Sequence, residues 1–246
     1  MTLFAASVPI TTLLSFGDHG YGYELLWAAL RTLEISSFGY VLGCGLGLLG
    51  ALGKIAGPHW VRAALGVYTT LFRALPELIL IMLLYYAGTD SLSRLLGIFG
   101  VGPLQLNGMI AAIFVLGIVQ GAYSTEVLRA AINAVPTGQL EAGSAMGMSA
   151  GLRFRRITIP AMLPHALPGL ANLWLNITKD SALVSIVGYT ELALATQQAA
   201  GVTKQYFALY VVAQCIYLII SLASVWLFGR AERNLRRGQP LTRGAG

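Results

Sequence analysis

The chain has 246 residues, of which 56% are hydrophobic and only 11% are charged, and its formal net charge is +6. A soluble domain carries roughly 25% charged residues, so this composition cannot cover a water-facing surface. It also excludes a disordered chain, which needs high charge and low hydrophobicity. We therefore predict a single all-α integral membrane domain over residues 1–246, and we assign the basic excess to cytoplasmic loops rather than to nucleic-acid binding.

Five segments approach the roughly 20 apolar residues that a helix needs to cross a bilayer. In chain order these predicted spans cover about 23–52, 63–86, 106–127, 162–177 and 206–228. The fourth is short and is interrupted by Pro164 and Pro168. The stretch 1–16 lacks the basic region of a cleavable signal peptide, so we place it along the membrane surface. Ala182 to Ala195 is apolar but too short to cross, which predicts a half-helix or re-entrant segment packed against protein.

Basic residues are distributed unevenly between the two sides of these spans. One side carries most of them: Lys54, Arg62, Arg129, Arg153, Arg155, Arg156, Arg230, Arg233, Arg236, Arg237 and Arg243. The other side carries Arg94, Lys179 and Lys204. Because loops rich in Lys and Arg stay in the cytoplasm, we predict an external N-terminus and a cytoplasmic C-terminus.

Nucleotide-binding and metal-binding motifs fail on their context. Gly45, Gly47 and Gly50 match a dinucleotide-binding string, but no strand precedes them and they lie inside the first span. The four-residue spacing of Gly43, Gly47 and Ala51 instead predicts close approach of another helix. The two cysteines and three histidines show no metal-ligand spacing. We therefore predict no catalysis and no cofactor on this chain.

The cytoplasmic loop at 136–160 is long for a connection between two spans. Within it we predict a short helix capped by Thr137, with Glu141 in its first turns, where a negative charge complements the helix dipole. Gly147 and Gly151 are predicted to interrupt this helix. Three arginines then return the chain to the headgroup level before Pro160 starts the next span: Arg153, Arg155 and Arg156. A short surface helix of this kind suits docking to a cytoplasmic partner.

This loop resembles the EAA signature of ABC importer permeases. The residues at the signature positions are Glu141, Ala142, Gly147, Ile157 and Pro160. Two residues depart from the pattern, since Gly143 replaces an Ala and Ile159 replaces a Leu. Because glycine in a helix costs roughly 1 kcal/mol relative to alanine, the departure at Gly143 affects the expected rigidity of the helix.

Four further segments resemble the polar amino-acid branch of these permeases. They are FRALPEL at 72–78, GAYSTEVLR at 121–129, GQLE at 138–141 and KDSALVS at 179–185. The Pro-Glu-Leu variant in the first is similar to permeases for histidine, for arginine and ornithine, and for opines. Five motifs in order, at compatible spacing, are far more specific than any one alone.

The resemblance implies a type I ABC importer permease fold, with five transmembrane helices, a short half-helix and a cytoplasmic coupling helix. It also implies a place in a bacterial inner membrane and a polar, basic amino acid or an opine as substrate. Its implied partners are two ATPase subunits, which hold ATP and Mg²⁺, a second permease and an extracytoplasmic binding protein. By the same resemblance, six residues of the loop couple to the ATPase: Glu141, Ala142, Gly143, Ala145, Met146 and Gly147.

Ionisable and polar residues at membrane depth are costly and suggest function. Arg73 and Glu77, four residues apart beside Pro76, either pair or face a dimer cavity. Asp180 and Ser181 precede the apolar half-helix, an arrangement with which transporters build midplane sites. We predict that Asp180 binds the α-amino group or basic side chain of the substrate.

Other polar residues are predicted around this site. The substrate path includes Asn176, together with Ser181 and Glu77. Asn172 and Asn176 share a helical face on which interhelical hydrogen bonds are the alternative. Glu126 and Arg129, at the end of the third span, are expected to pair. A secondary transporter driven by an ion gradient, and a scaffold or channel subunit, are the alternative functions; the absence of an inverted repeat disfavours the former.

Overall fold

The computed structural model describes residues 10–17, 20–98 and 108–235, and this part of the chain is helical almost throughout. The helices in chain order are α1 Ile10–Leu13, α2 Gly22–Ala56, α3 His59–Ala74, α4 Glu77–Ile98, α5 Gly108–Asn133, α6 Thr137–Ala145, α7 Ala150–Arg153, α8 Ile159–Asp180, α9 Leu192–Thr203 and α10 Tyr206–Leu235. A π-helical turn, Phe154–Thr158, joins α7 to α8, and a 3-10 turn, Ser181–Val187, follows α8. Residues 1–9 of the predicted surface stretch, and the tail residues Arg236, Arg237 and Arg243, lie outside the described residues.

Among the described residues, α2, α5 and α10 are long and apolar enough to cross a membrane, and α3 with α4 passes the same test as a bent pair. These elements account for four of the five predicted spans. Helix α8 is not apolar enough to pass the same test, so its composition does not confirm the predicted count of five membrane-spanning helices. Its boundaries also differ from the predicted 162–177, and it continues without a break through Pro164 and Pro168. Neighbouring helices allow membrane helices to tolerate such prolines.

Helices α2 and α5 pack in parallel along a row of small residues. A Cβ atom at Gly43 would lie 2.7 Å from Cβ of Gln120, and one at Gly47 would lie 2.8 Å from the backbone carbon of Ser124. Both contact positions advance by four residues together, so the two chains run in the same direction. Ala51 is fully buried. The predicted packing role of Gly43, Gly47 and Ala51 is confirmed.

Helix α8 runs opposite to α2 and α5. Near its end Ile177 belongs to the apolar cluster that contains Ile35, early in α2. Near its start Met162 packs in the cluster that contains Ala51, late in α2. The chain therefore reverses direction between α5 and α8, across the loop that carries α6.

The prediction of a continuous helix over 63–86 is wrong. The chain breaks at Leu75, whose backbone is extended with φ −91° and ψ 149°. Between α3 and α4 the chain direction bends by 118°. Pro76 causes this break. Its ring clashes with Leu75 when Leu75 adopts a helical conformation, and its nitrogen has no hydrogen to donate to a helical hydrogen bond.

The segment Ala182 to Ala195, predicted as a half-helix or a re-entrant segment, is not one continuous helix. The segment divides at Gly188, whose φ of +86° lies in the left-handed region that favours glycine. Before it, α8 passes directly into the 3-10 turn, so no break separates Asp180 from the turn. After it, Glu191 caps α9, which is too short to cross a membrane.

Candidate functional site

Helix α6 begins differently from the prediction. Pro136 is its N-cap residue, no side chain caps the helix, and Thr137 is the first helical residue. The predicted Thr137 cap is therefore wrong. Glu141 is the fifth helical residue and lies beyond the first turn, so its carboxylate is too far from the N-terminus to complement the dipole there.

Helix α6 ends in a Schellman motif built on Gly147. The φ of Gly147 is +76°, its N–H donates to the carbonyl of Ser144 at 2.9 Å, and the N–H of Met148 donates to the carbonyl of Gly143 at 3.1 Å. The predicted interruption at Gly147 is confirmed. The one predicted at Gly151 is wrong, because Gly151 lies within α7.

The two sides of α6 have different surroundings. Five of the six predicted coupling residues are exposed: Glu141, Ala142, Ala145, Met146 and Gly147. Met146 is 80% exposed. Gly143 is buried on the other side, where a Cβ atom would lie 2.5 Å from Cδ1 of Ile157. The glycine that departs from the family pattern thus lets α6 lie close against the π-helical turn.

A side-chain bridge fixes α6 to the next helix. The guanidinium of Arg153 donates to the hydroxyl of Ser144, and that hydroxyl donates to the carbonyl of Leu140 at 2.9 Å. Arg155 and Arg156 are exposed. Of the three arginines predicted to meet the headgroups, Arg153 is thus engaged within the loop itself.

A second group of polar residues lies where α3 and α4 meet. The guanidinium carbon of Arg73 lies 5.9 Å from the ring centroid of Tyr123, within the range of a cation–π contact. The carboxyl group of Glu77 lies close enough to Asp180 and to the Tyr123 hydroxyl to interact electrostatically with both. Arg73 and Glu77 form no ion pair within 4.0 Å, so the first of the two predicted alternatives, a pair between them, is not found. The structure brings Arg73, Glu77 and Asp180 together around Tyr123, a residue that the sequence analysis did not single out.

The remaining predicted substrate-path residues differ in exposure. Asn176 is half-buried and Asn172 is exposed, and in the described part of the chain neither forms an interhelical hydrogen bond, the alternative considered for them. Ser181 is fully buried, and its hydroxyl donates to the carbonyl of Thr178 at 2.7 Å. Its hydroxyl is therefore used inside the protein.

An ion cluster joins α2, α3 and α5. The Lys54 ammonium lies 2.5 Å from Oε1 of Glu126 and also donates to the hydroxyl of Thr69 at 2.5 Å. The Arg129 guanidinium donates to Oε2 of Glu126 at 2.8 and 3.0 Å. The predicted pairing of Glu126 with Arg129 is confirmed. The pairing of Lys54 with Glu126 was not predicted, because the two residues lie 72 positions apart in the sequence.

Comparisons with known proteins agree with this architecture. A family model described as binding-protein-dependent transport system inner membrane component matches residues 39–237. Octopine transport system permease protein OccQ of Rhizobium radiobacter is 38% identical over 92% of this chain and 96% of its own length. Histidine/lysine/arginine/ornithine transport system permease protein HisQ of Escherichia coli strain K12 is 39% identical over 84% of this chain and 90% of its own length.

Solved structures show the same fold. The crystal structure of an amino acid ABC transporter with histidines superposes with a TM-score of 0.73 at 28% identity, covering 87% of this chain and 95% of the other. An inward-facing structure of the MetNI methionine ABC transporter gives a TM-score of 0.65 at 21% identity, over 87% and 95% of the two chains, a likeness of fold alone. The chain therefore belongs to the family of binding-protein-dependent transport system inner membrane components, which confirms the ABC importer permease family indicated by the EAA loop.

Proposed function

We propose that this chain is the permease subunit of an importer for basic amino acids or opines, driven by ATP hydrolysis on two separate ATPase subunits. One observation supports the proposal: one side of α6 is packed against the following part of the loop, and the opposite side is exposed. Gly143 and the Ser144–Arg153 bridge fix its underside, whereas Glu141 and Met146 are exposed. A rigid helix with an open face suits insertion into a groove of a partner, and ATP and Mg²⁺ would be bound by that partner.

The directions of the helices support five crossings. Because α2 and α5 are parallel, α3 and α4 together must return the chain across the membrane between them. Helix α8 is antiparallel to α2, and its 22 residues span about 33 Å at 1.5 Å per residue, enough for a bilayer core. With the basic loops inside, the N-terminus is external and the C-terminus is cytoplasmic.

The substrate path lies beside the break between α3 and α4. Glu77 and Asp180 place two carboxyl groups near each other, and the guanidinium of Arg73 is directed to the ring of Tyr123. Two neighbouring acids at membrane depth attract a cationic amino or guanidinium group. The names of the relatives, which include octopine, histidine, lysine, arginine and ornithine, are compatible with such a substrate.

Two further residues complete the proposed path. Asn176 lies one turn before Asp180 on α8 and is half-buried, so we place its amide in the path about 6 Å along the helix from Asp180. Ser181 supports the turn after Asp180 through its bond to Thr178. The path is completed by a second permease, either another copy of this chain or a sister subunit, and a binding protein delivers the amino acid from outside.

Reconstitution tests the proposal. The chain is co-purified with its ATPase, placed in liposomes with the binding protein, and assayed for uptake of labelled L-arginine and octopine. We expect uptake to require ATP, and we expect Glu141→Lys to abolish it while assembly persists. Asn133→Lys is the control, because it introduces the same cationic side chain at an exposed position outside α6. Uptake that follows a proton or sodium gradient without ATP would instead indicate a secondary transporter.

The substrate path has its own variant pair. Asp180→Asn keeps the size of the side chain but removes its charge, so we expect it to lower arginine uptake strongly. Asp90→Asn is the control, because Asp90 is exposed and pairs with Arg94. Equal uptake by the two variants would remove Asp180 from the path.

A further inference from the structure

The start of α9 contains a buried carboxylate that the proposed transport path does not use. Glu191 has no exposed surface, and among the described residues no other charged side chain is buried. Burying a carboxylate is costly unless hydrogen bonds compensate it. The partners of Glu191 therefore indicate why this acidic residue is kept there.

Glu191 receives four hydrogen bonds, two on each oxygen. Its Oε1 accepts the backbone N–H groups of Ala193 at 2.8 Å and Leu194 at 3.1 Å. Its Oε2 accepts the hydroxyls of Thr32 at 3.2 Å and Tyr217 at 2.9 Å. The first pair caps α9, whereas the second pair comes from α2 and α10.

The choice of glutamate fits this double function. Helix caps are normally Ser, Thr, Asp or Asn, whose short side chains suffice for the backbone N–H groups. The longer side chain of Glu191 caps α9 with one oxygen and leaves the second free for the hydroxyls of neighbouring helices. The hydroxyl of Thr32 also accepts the N–H of Leu192 at 3.1 Å, so α2 and α9 are joined twice.

Tyr217 extends this group towards the end of α8. Its hydroxyl donates to Glu191, and its side chain lines a cavity together with Lys179 and Ala182, on either side of Asp180 and Ser181. Ser181 is fully buried and directly follows Asp180. Tyr217 on α10 thus lies between the cap of α9 and the residues that flank the proposed substrate-binding carboxylate.

We propose that Glu191 and Tyr217 are positioning residues, which clamp α9 to α2 and α10 and thereby hold Asp180 in the substrate path. The role of Asp180 rests on the proposed function, but the clamp itself does not. A simple cap would hold only α9. The clamp predicts that a change on α10 loosens the end of α8, which is far away in sequence.

Hydrogen–deuterium exchange on the purified membrane protein tests the clamp directly. Tyr217→Phe keeps the ring and its packing but removes the hydroxyl, so we expect faster exchange of the amides at 178–182 and at the start of α9. Tyr210→Phe is the matched control, because Tyr210 is exposed on the same helix. Unchanged exchange at 178–182 in Tyr217→Phe would overturn the proposal.

A functional measurement tests the consequence for the substrate. In the reconstituted assembly, Tyr217→Phe should raise the L-arginine concentration for half-maximal ATPase stimulation about threefold to tenfold, as expected for the loss of one hydrogen bond. Basal ATPase activity should not change. Glu191→Gln, which can still bond to the helix N-terminus, should retain more affinity for arginine than Glu191→Ala. An equal loss in the two variants would contradict the positioning role.

The two proposals fail in different ways. A wild-type assembly that arginine and octopine leave unstimulated would contradict the proposed substrate class, and the exchange experiment would still decide the clamp. A stimulated wild type with an unaltered Tyr217→Phe variant would contradict the clamp alone.

Discussion

The ammonium of Lys54 lies 2.5 Å from the carboxylate of Glu126, across the interface of two parallel helices. Both side chains are mostly buried, with 14% and 19% of their surfaces exposed. The second oxygen of the carboxylate accepts two bonds from Arg129. One acidic residue therefore neutralises a cation from α2 and a cation from its own helix.

Removal of Glu126 should destabilise the protein more than the loss of an ordinary surface ion pair. Glu126→Ala leaves Lys54 mostly buried without a counter-ion, and we expect a cost between the roughly 1 kcal/mol of an exposed pair and the roughly 3–5 kcal/mol of a buried one. The measurement is the unfolding midpoint in detergent. Asp90→Ala, which removes the exposed pair with Arg94, is the control and should change the midpoint little. Equal shifts in the two variants would contradict the structural role of the cluster.

The packing of α2 on α5 gives a second prediction. Gly47→Ala places a Cβ atom against Ser124, 2.8 Å from its backbone carbon, and such overpacking costs about 1–3 kcal/mol. Gly45→Ala meets no atom within 4 Å, and replacing a helical glycine there should stabilise the protein by about 0.5–1 kcal/mol. Thermal unfolding of the two variants should therefore shift in opposite directions. Stabilisation by Gly47→Ala would mean that the helices do not approach as closely as described.

The end of α6 gives a third prediction. Gly147→Ala forces a side chain into a left-handed backbone, φ +76°, at a cost of about 1–2 kcal/mol. We expect the last turn of α6 to fray and transport per ATP hydrolysed to fall.

Gly151→Ala provides the comparison, because a Cβ atom there meets nothing within 4 Å. It should leave the ratio of arginine uptake to ATP hydrolysis unchanged. The same low ratio in both variants would show that the Schellman motif is not what matters for coupling.

A hydrogen bond between α8 and α10 gives a fourth prediction. The indole N–H of Trp174 donates to the hydroxyl of Ser224 at 2.8 Å. Trp174→Phe and Ser224→Ala should each reduce stability, and the double variant should lose less than the sum, with a coupling of about 0.5–1.5 kcal/mol. Trp226→Phe, at an exposed position on the same helix as Ser224, should have almost no effect on the unfolding midpoint. Strict additivity of the first two changes would argue against the bond.

Local signals in the sequence predict much of this structure. Gly147 ends α6 as expected, because a left-handed turn favours glycine wherever it occurs. Glu126 and Arg129 pair as expected, because residues three apart on a helix are neighbours. The break at Leu75 could also have been predicted from Pro76, but the apolar run around it favours a single span.

Other features depend on packing between distant segments. Lys54 reaches Glu126 only because small residues bring α2 and α5 together, and single-sequence spacing contains no such information. Glu191 is missed for a different reason. A single half-helix drawn across Gly188 hides the start of α9, although a glycine commonly marks the end of a helix.

The loop between α5 and α8 has a mechanical consequence. From Ala150 to Asp180 the chain is helical without an extended residue. At 1.5 Å per residue, its length along the helix is about 46 Å. Its N-terminal end is joined to α6 by the hydrogen bond from Arg153 to Ser144, and its C-terminal end carries Asp180. Motion of α6 can therefore be transmitted along this continuous helical segment towards Asp180, with the π-helical turn at Phe154–Thr158 as the one non-α segment along its length.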